Sequence, residues 1–176
     1  MDKSTGSNYD SKLVEHYFHL WTLLGRARDA IYRAREVNLR KFGITPEQLL
    51  VIIVIKDLAL AGIPATPSEI ARRTFRTPAT ISISASRMML KGLIKRSAKR
   101  KNSNKKLLEL SLTKLGEDMF RQLRQREITT KIMSSLSKEQ EEQLVSCMKT
   151  LIVAAVNEIG QKEYEKVVQS VLTEKD

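Results

Sequence analysis

The sequence predicts a mainly α-helical protein with one small β-hairpin, folded as a single domain. Apolar residues recur at three- and four-residue intervals near both ends of the chain, which is the spacing of one helical face. Three Thr-Pro pairs in the middle of the chain have the pattern of helix starts. In the stretch KLLELSL the period falls to two, which is typical of a half-buried strand. A chain of 176 residues is long enough for one such domain, 1–176, with its own core.

The first predicted helix runs from about Lys12 to Arg40. Thr45 is placed to cap a second helix, with Pro46 at its first position and Gln48 completing a capping box. This second helix is expected to end near residue 62, where a glycine follows the apolar run. The apolar face of the first helix consists of Leu13, Val14, Tyr17, Phe18, Trp21, Leu24 and Ile31.

Two short helices are predicted to follow each other closely. Thr66, Pro67 and Glu69 repeat the capping pattern of the second helix, and Thr77 opens the next helix after the linking segment TFR. We call the second of these short helices the reading helix. On a helical wheel its anchor face carries Ile81, Ser84, Ala85 and Met88, whereas its opposite face, the reading face, carries Ala79, Ser82, Ile83 and Ser86.

A hairpin and two more helices are predicted after Gly92. The segment LIKRSAK can pair with KLLELSL across RKNSN, and in the second strand Leu108, Leu110 and Leu112 alternate with Leu107, Glu109 and Ser111. Thr113 then caps a fifth helix that carries Leu115, Met119 and Leu123.

Ser137 and Gln140 form another capping box before a sixth helix. Whether this helix stops at Gly160 or continues to Val171 stays open from the sequence. Its apolar face consists of Leu144, Met148, Leu151, Ile152, Ala155, Val156 and Ile159.

The positive charge of the chain is concentrated in one segment. The formal net charge is +11, from 31 Lys and Arg against 20 Asp and Glu. Between Ile70 and Leu108 there are 12 basic residues and no acidic one, so the rest of the chain has 19 basic and 20 acidic residues. A basic segment of this kind indicates a polyanionic partner, either nucleic acid or an acidic membrane surface.

Two short helices followed by a cationic hairpin form a helix-turn-helix with a wing. A helix that enters the DNA major groove, about 12 Å wide, needs small or polar side chains on its outer face, and the reading face has them. Arg73, Arg76 and Arg87 flank this helix and are expected to hold phosphates. The predicted DNA-binding residues are Arg73, Arg76, Thr77, Ala79, Ser82, Ile83, Ser86, Arg87, Arg100, Lys101, Lys105 and Lys106.

The side chains of the reading face suggest weak direct readout. Ser82 and Ser86 can bond a base edge, and Ile83 or Ala79 can touch a thymine methyl group. Because the reading face has no Arg, Asn or Gln, its direct discrimination between base pairs is expected to be modest. The basic residues of the wing can follow the DNA backbone or enter the minor groove.

The order of these elements, with GLIKR before the wing and LSLTKLGE after it, resembles the MarR family of winged helix-turn-helix regulators from residue 12 to about 171. The resemblance implies a DNA-binding lobe at 45–113 and a homodimer whose dimerisation helices, 12–41 and 114–172, intertwine. It implies two reading helices in successive major grooves of a pseudo-palindromic operator in double-stranded DNA. It also implies a sequence-specific transcriptional repressor that a small-molecule effector, bound between the two lobes, releases from DNA.

Two features depart from the family pattern, one in the wing and one on the reading face. Where the family usually has Asp-Arg-Arg in the wing, this chain has Asn104, Lys105 and Lys106. An Asn cannot form the ion pair that steadies the wing, and Lys lacks the planar fork of Arg. Ile83 stands where many members carry a polar or basic reader, so their base contacts do not transfer to it.

Other candidate sites favour structural roles. His16 and His19 lie three residues apart without further ligands, so no metal site is predicted. The only cysteine, Cys147, cannot form an intramolecular disulfide, and its apolar neighbours favour packing in a core over redox sensing. The aromatic spacing of the first helix favours a core or a dimer interface over an effector cavity, and the side chains concerned are Tyr17, Phe18, Trp21 and Tyr32.

The sequence does not favour an enzyme, a cofactor or an exported protein. It has no Gly-rich phosphate loop and no nucleophile elbow. Its polar N-terminus and its longest apolar run, seven residues at 49–55, predict a soluble cytoplasmic protein. Two alternatives stay open: a sequence-tolerant architectural DNA-binding protein, and a basic surface that docks on an anionic membrane or protein.

Overall fold

The computed structural model describes residues 10–100, 106–125, 128–160 and 164–173. Within these ranges the chain forms eight helices and one antiparallel strand pair, so the predicted fold class is confirmed. The helices are α1 (Ser11–Arg40), α2 (Pro46–Leu60), α3 (Pro67–Arg73), α4 (Pro78–Leu90), α5 (Lys114–Gln125), α6 (Ile128–Met133), α7 (Lys138–Ile159) and α8 (Glu165–Thr173). The strands β1 (Ile94–Arg100) and β2 (Lys106–Leu112) lie between α4 and α5. The reading helix is α4.

Capping boxes set the starts of two helices where the sequence predicts them. Thr45 Oγ1 accepts a hydrogen bond from the Gln48 N–H at 3.2 Å, and the Gln48 side chain accepts one from the Thr45 N–H at 3.2 Å. Ser137 and Gln140 form the same reciprocal pair at the start of α7. A cap of this kind contributes about 1 kcal/mol to stability because it satisfies backbone donors that the helix leaves free.

The core forms around α2, which contacts α1, α3, α4, α5 and β2. Most residues of this helix are apolar, and each of its buried Val, Leu and Ile side chains contributes about 1.5–3 kcal/mol by leaving water. Because both short helices and the second strand pack on α2, it fixes their relative positions. Its buried apolar side chains are Leu49, Val51, Ile52, Val54, Ile55 and Leu58, and its core neighbours include Ile70, Ile81, Met88, Leu93 and Leu110.

The wing is an antiparallel hairpin with Ile94 opposite Leu112. Leu110 is 1 % exposed, and its backbone N–H donates to the carbonyl of Ala65 at 2.9 Å. This bond ties the base of the wing to the loop before α3. Leu108, two residues nearer the tip, is 44 % exposed, so the buried face of β2 is shorter than the predicted alternation.

The C-terminal part of the chain has more breaks than the sequence predicts. The six-residue helix α6 was not predicted, because it is too short to show a helical period. Gly160 adopts the left-handed conformation, with φ 67°, and its N–H bonds to the carbonyl of Val156 at 3.1 Å. This closes α7, and α8 begins at Glu165, so the last helix does not continue through Gly160.

The apolar faces of α1 and α7 are largely uncovered in the single chain. Phe18 and Trp21 on α1 are each 70 % exposed, and Leu151 on α7 is 50 % exposed. Large contiguous apolar surface on a chain of this size usually marks an interaction site. No helix in the described ranges is long and apolar enough to cross a membrane.

Candidate nucleic-acid interface

The reading helix is fixed to the core by one face and presents the other to solvent. Ile81, Ala85 and Met88 are buried against the core, which confirms most of the predicted anchor face. Ser84, the fourth residue of that face, is only half-buried, and its Oγ lies 3.9 Å from the sulfur of Met88. The helix is therefore held at a set rotation about its axis, which decides the side chains it offers outward.

The reading face is exposed and carries no charge. Ala79, Ile83 and Ser86 are exposed, with Ile83 at 57 %, and Ser82 is half-buried. The Ser86 hydroxyl donates a hydrogen bond to the carbonyl of Ser82 at 2.9 Å within the helix. Its lone pairs stay free, so Ser86 is available as an acceptor for an external N–H donor.

The N-terminus of the reading helix is capped and exposed. Thr77 Oγ1 accepts a hydrogen bond from the Thr80 N–H at 3.2 Å, and Pro78 occupies the first helical position. Both threonines and the proline are exposed to solvent. An exposed helix start of this kind attracts anions through its partial positive charge.

The three predicted phosphate-binding arginines have different surroundings. Arg87 is exposed and forms no ion pair within the described part of the chain. Arg76 is also exposed, and its guanidinium donates to the carbonyl of Phe75 at 3.3 Å. Arg73, in contrast, pairs with Glu69 at 3.1 Å, with its side chain 21 % exposed. The positive charge of Arg73 is thus already shared within α3.

Glu69 also explains why the capping box predicted for α3 is half formed. Thr66 Oγ1 accepts from the Glu69 N–H at 3.1 Å, as predicted. The Glu69 carboxylate, however, faces the next turn of the helix and pairs with both Arg72 and Arg73 instead of the Thr66 backbone. Two cationic partners outcompete one neutral N–H for the carboxylate.

Part of the predicted wing site lies outside the described residues. Lys101 and Lys105 fall there, as does Asn104. Arg100 and Lys106 pair opposite each other in the strands. Two further basic residues, Lys95 and Arg96 on β1, are exposed and were not among the predicted site residues. Lys95 and Arg96 lie in the same acid-free segment as the predicted basic residues, and this position could have identified them too.

The turn between α3 and α4 has an unusual backbone. Phe75 has φ 51°, and no other non-glycine residue in the described ranges has a positive φ. The left-handed conformation costs a residue with a side chain about 1–2 kcal/mol. The chain bends here because Arg76 N–H bonds back to the carbonyl of Ala71 at 2.9 Å, which closes α3 before α4 begins.

The aromatic residues of α1 divide into two groups. Tyr17 and Trp21 line a groove of 630 Å³ between α1 and α7. Tyr32 instead donates a hydrogen bond to the carboxylate of Glu47 at the start of α2. Partial burial, followed by this hydrogen bond, raises the pKa of Tyr32 from 10.0 to about 12. Tyr32 therefore ties α1 to α2, whereas Tyr17 and Trp21 line the groove.

Cys147 and the two histidines do not form a site within the single chain. Cys147 is exposed and lines the groove between α1 and α7, so the prediction that it packs in a core of its own chain is wrong. Three of its neighbours on α7, Ser146, Thr150 and Leu151, line the groove as well. His16 and His19 are exposed, and the described residues hold no group of three or more His, Cys, Asp or Glu suited to a metal ion.

Comparison with known proteins gives matches among solved structures. No family model matches the sequence, and no curated protein matches it. The organohalide-sensing transcriptional regulator RdhR, solved with 2,4-dichlorophenol bound, superimposes with a TM-score of 0.71 at 19 % identity, covering 93 % of this chain and 95 % of its own.

Two DNA complexes also match. A mutant of MarR from E. coli, complexed with operator DNA, superimposes with a TM-score of 0.67 at 20 % identity, covering 79 % of this chain and 97 % of its own. The S. aureus MepR–DNA complex has a TM-score of 0.63 at 21 % identity, covering 79 % of this chain and 96 % of its own. The chain therefore has the winged helix-turn-helix fold of these regulators.

Proposed function

We propose that this protein belongs to the MarR family and is a sequence-specific DNA-binding transcriptional regulator that works as a homodimer. The observation that carries the proposal is the exposed, uncharged reading face of α4 inside the segment that holds the whole positive excess of the chain. Small and hydroxyl side chains fit a major groove, and the surrounding cations, Arg76 and Arg87 among them, suit the flanking phosphates. The DNA-bound state of the MarR and MepR structures of the same fold supports this assignment.

The homodimer is supported by the uncovered apolar faces of α1 and α7. Side chains such as Phe18 and Trp21, each 70 % exposed, are seldom left in water in a contiguous face. A second copy that places its own α1 and α7 against them removes this surface from water. The same arrangement brings two reading helices onto one side of a DNA duplex, as a pseudo-palindromic site requires.

Repression follows from occupancy of a promoter by the dimer. We infer that a small apolar effector shifts the equilibrium between two spacings of the reading helices, only one of which fits the duplex. The 2,4-dichlorophenol-bound RdhR structure of the same fold supports an effector of this class. A ligand changes DNA affinity only to the extent that it binds the two spacings with different affinity.

The test is selection of bound duplexes from a random DNA pool at near-physiological salt. We expect enrichment of an inverted repeat with half-sites about 10 base pairs apart, and specific binding at least about a thousandfold tighter than non-specific binding. An unenriched pool that binds with a steep dependence on salt would instead assign the protein to sequence-tolerant architectural binding. The test has to distinguish these two functions because a reading face without Arg, Asn or Gln suits sequence-tolerant binding as well.

A matched pair of variants on the reading helix sharpens this test. Ser86→Ala removes a hydroxyl from the exposed reading face, whereas Ser84→Ala removes one from the half-buried anchor face of the same helix. We expect Ser86→Ala to change the enriched sequence or to weaken binding at one base position by about 1–3 kcal/mol. Ser84→Ala should leave the enriched sequence unchanged. The same enriched sequence and the same affinity for both variants would contradict the assignment of the reading face.

A further inference from the structure

The residue before the C-terminal helix contacts the turn of the helix-turn-helix. The ring of Phe75, in the turn between α3 and α4, stacks on the ring of Tyr164, the residue before α8, with centroids 5.2 Å apart and planes at 23°. Stacked aromatic rings at this separation attract each other. Within one chain, α8 is therefore joined to the turn from which the reading helix departs.

Phe75 is also the residue whose backbone most needs support. Its φ of 51° is unfavourable for a side chain, and the bond from its own N–H to the carbonyl of Arg72 is long, at 3.3 Å. A residue in this conformation persists only when its surroundings hold it there. Its side chain is 40 % exposed, and the ring of Tyr164 packs against it.

We propose that Tyr164 is a positioning residue for the reading helix. Its ring holds Phe75 in the left-handed conformation, and this conformation sets the direction in which α4 leaves the turn, three residues before Pro78. Without the stack, Phe75 relaxes toward ordinary backbone angles, and the N-terminal end of α4, which precedes the anchor residues Ile81, Ala85 and Met88, samples several orientations. DNA binding then has to select one of them, which lowers the affinity for a specific site.

The proposal rests on the proposed function and adds a route from the dimer to the DNA. The residue Tyr164 follows α7, a helix assigned above to the dimer interface, and contacts the turn of the DNA-binding lobe directly. A change in the packing of α7 and α8 is thereby passed to the reading helix by one aromatic contact. The C-terminal segment acts in DNA recognition as well as in association of the two chains.

The first part of the test is hydrogen exchange on the free full-length protein. We compare Tyr164→Ala with Tyr164→Phe, which keeps the ring, and with Glu165→Ala, an exposed neighbour outside the stack. In Tyr164→Ala the amides of Phe75 and Arg76 should exchange about threefold to tenfold faster, because the loss of one aromatic pair weakens the turn by that factor. Unchanged exchange in this turn would overturn the positioning role.

The second part is affinity for the duplex that the wild-type protein selects. Tyr164→Ala should bind it about threefold to tenfold more weakly, with non-specific binding at low salt unchanged, whereas Tyr164→Phe and Glu165→Ala should stay within about twofold of wild type. Faster exchange with unchanged or raised specific affinity would overturn the link to DNA and leave the regulator assignment standing. If the wild type selects no duplex, the proposed function fails, and the link to DNA fails with it.

Discussion

A methyl group added at Gly116 should destabilise the fold, although helix propensity favours Ala over Gly. Gly116 lies in the first turn of α5, where replacement by Ala usually stabilises a helix by about 1 kcal/mol. Here an added Cβ would lie 2.1 Å from the carbonyl oxygen of Leu93 and 3.1 Å from its carbonyl carbon. Real Cβ atoms essentially never approach closer than 3.0 Å, and the obstructing atoms are backbone, so the two segments have to separate.

The separation weakens the hydrogen bonds between Leu93, the residue before the wing, and the start of α5. The Leu93 carbonyl accepts a hydrogen bond from the Thr113 N–H at 3.0 Å and is 3.2 Å from Thr113 Oγ1, which also accepts from the Gly116 N–H at 3.1 Å. Overpacking of a tight site costs about 1–3 kcal/mol, and each weakened hydrogen bond costs about 1 kcal/mol. With about 2 kcal/mol for overpacking, one or two weakened hydrogen bonds, and about 1 kcal/mol subtracted for the helix preference of Ala, Gly116→Ala should destabilise the protein by about 2–3 kcal/mol.

Thermal unfolding followed by circular dichroism measures this loss. A destabilisation of 2–3 kcal/mol corresponds to a fall in Tm of about 5–10 °C for a chain of this length, provided that all samples have the same protein concentration. The matched control is Gly25→Ala on α1, where no atom of the described residues outside the neighbouring backbone of its own helix lies within 4 Å of the added Cβ. A Tm for Gly116→Ala equal to or above that of wild type would refute the packing argument.

Three further predictions concern pH, DNA and association. Because the pKa of Tyr32 rises from 10.0 to about 12 on folding, its contribution to stability is complete below pH 10 and is lost between pH 10 and 12. The urea concentration at the midpoint of unfolding should therefore fall less over this interval for Tyr32→Phe than for wild type. Parallel curves of midpoint against pH would exclude the effect. Arg87→Ala should weaken binding to all duplexes and reduce the salt slope by about 1, whereas Lys138→Ala on α7 should change neither. Dilution should shift the fluorescence emission of Trp21, the only tryptophan, to longer wavelength, because dissociation of the proposed dimer exposes this side chain to water. Emission typical of exposed tryptophan at every concentration would contradict the proposed interface.

Features that depend on neighbours in the sequence could be predicted from it. The Thr45–Gln48 and Ser137–Gln140 boxes fix helix starts through bonds that span three residues, so the local sequence alone locates them. The anchor face of α4 follows from helical geometry in the same way, and the burial of Ile81 and Met88 confirms it. The fold class then follows from the order of elements of known type.

The features that were missed depend on contacts between distant segments or on competition for one partner. The spacing of Glu69 and Arg73 permits an ion pair one turn apart, and the spacing of Thr66 and Glu69 permits a capping box. Only the folded chain decides which of the two the Glu69 carboxylate forms. The exposure of Cys147 depends on which helix faces α7. The contact of Phe75 with Tyr164 has no local signal, because its two rings belong to residues that are far apart in the sequence.

The orientation of the reading helix matters more here than the chemistry of its side chains. The hydroxyl hydrogen of Ser86 is already donated to the carbonyl of Ser82, so this side chain meets a base chiefly as an acceptor, and Ile83 discriminates only by contact with a methyl group. Phosphate contacts add affinity without sequence information. Because direct readout by such a reading face is modest, much of the specificity of the proposed dimer has to come from the spacing and angle of its two α4 helices on the duplex. That angle begins at Phe75, and for this reason a single ring from the C-terminal segment can govern which DNA is bound.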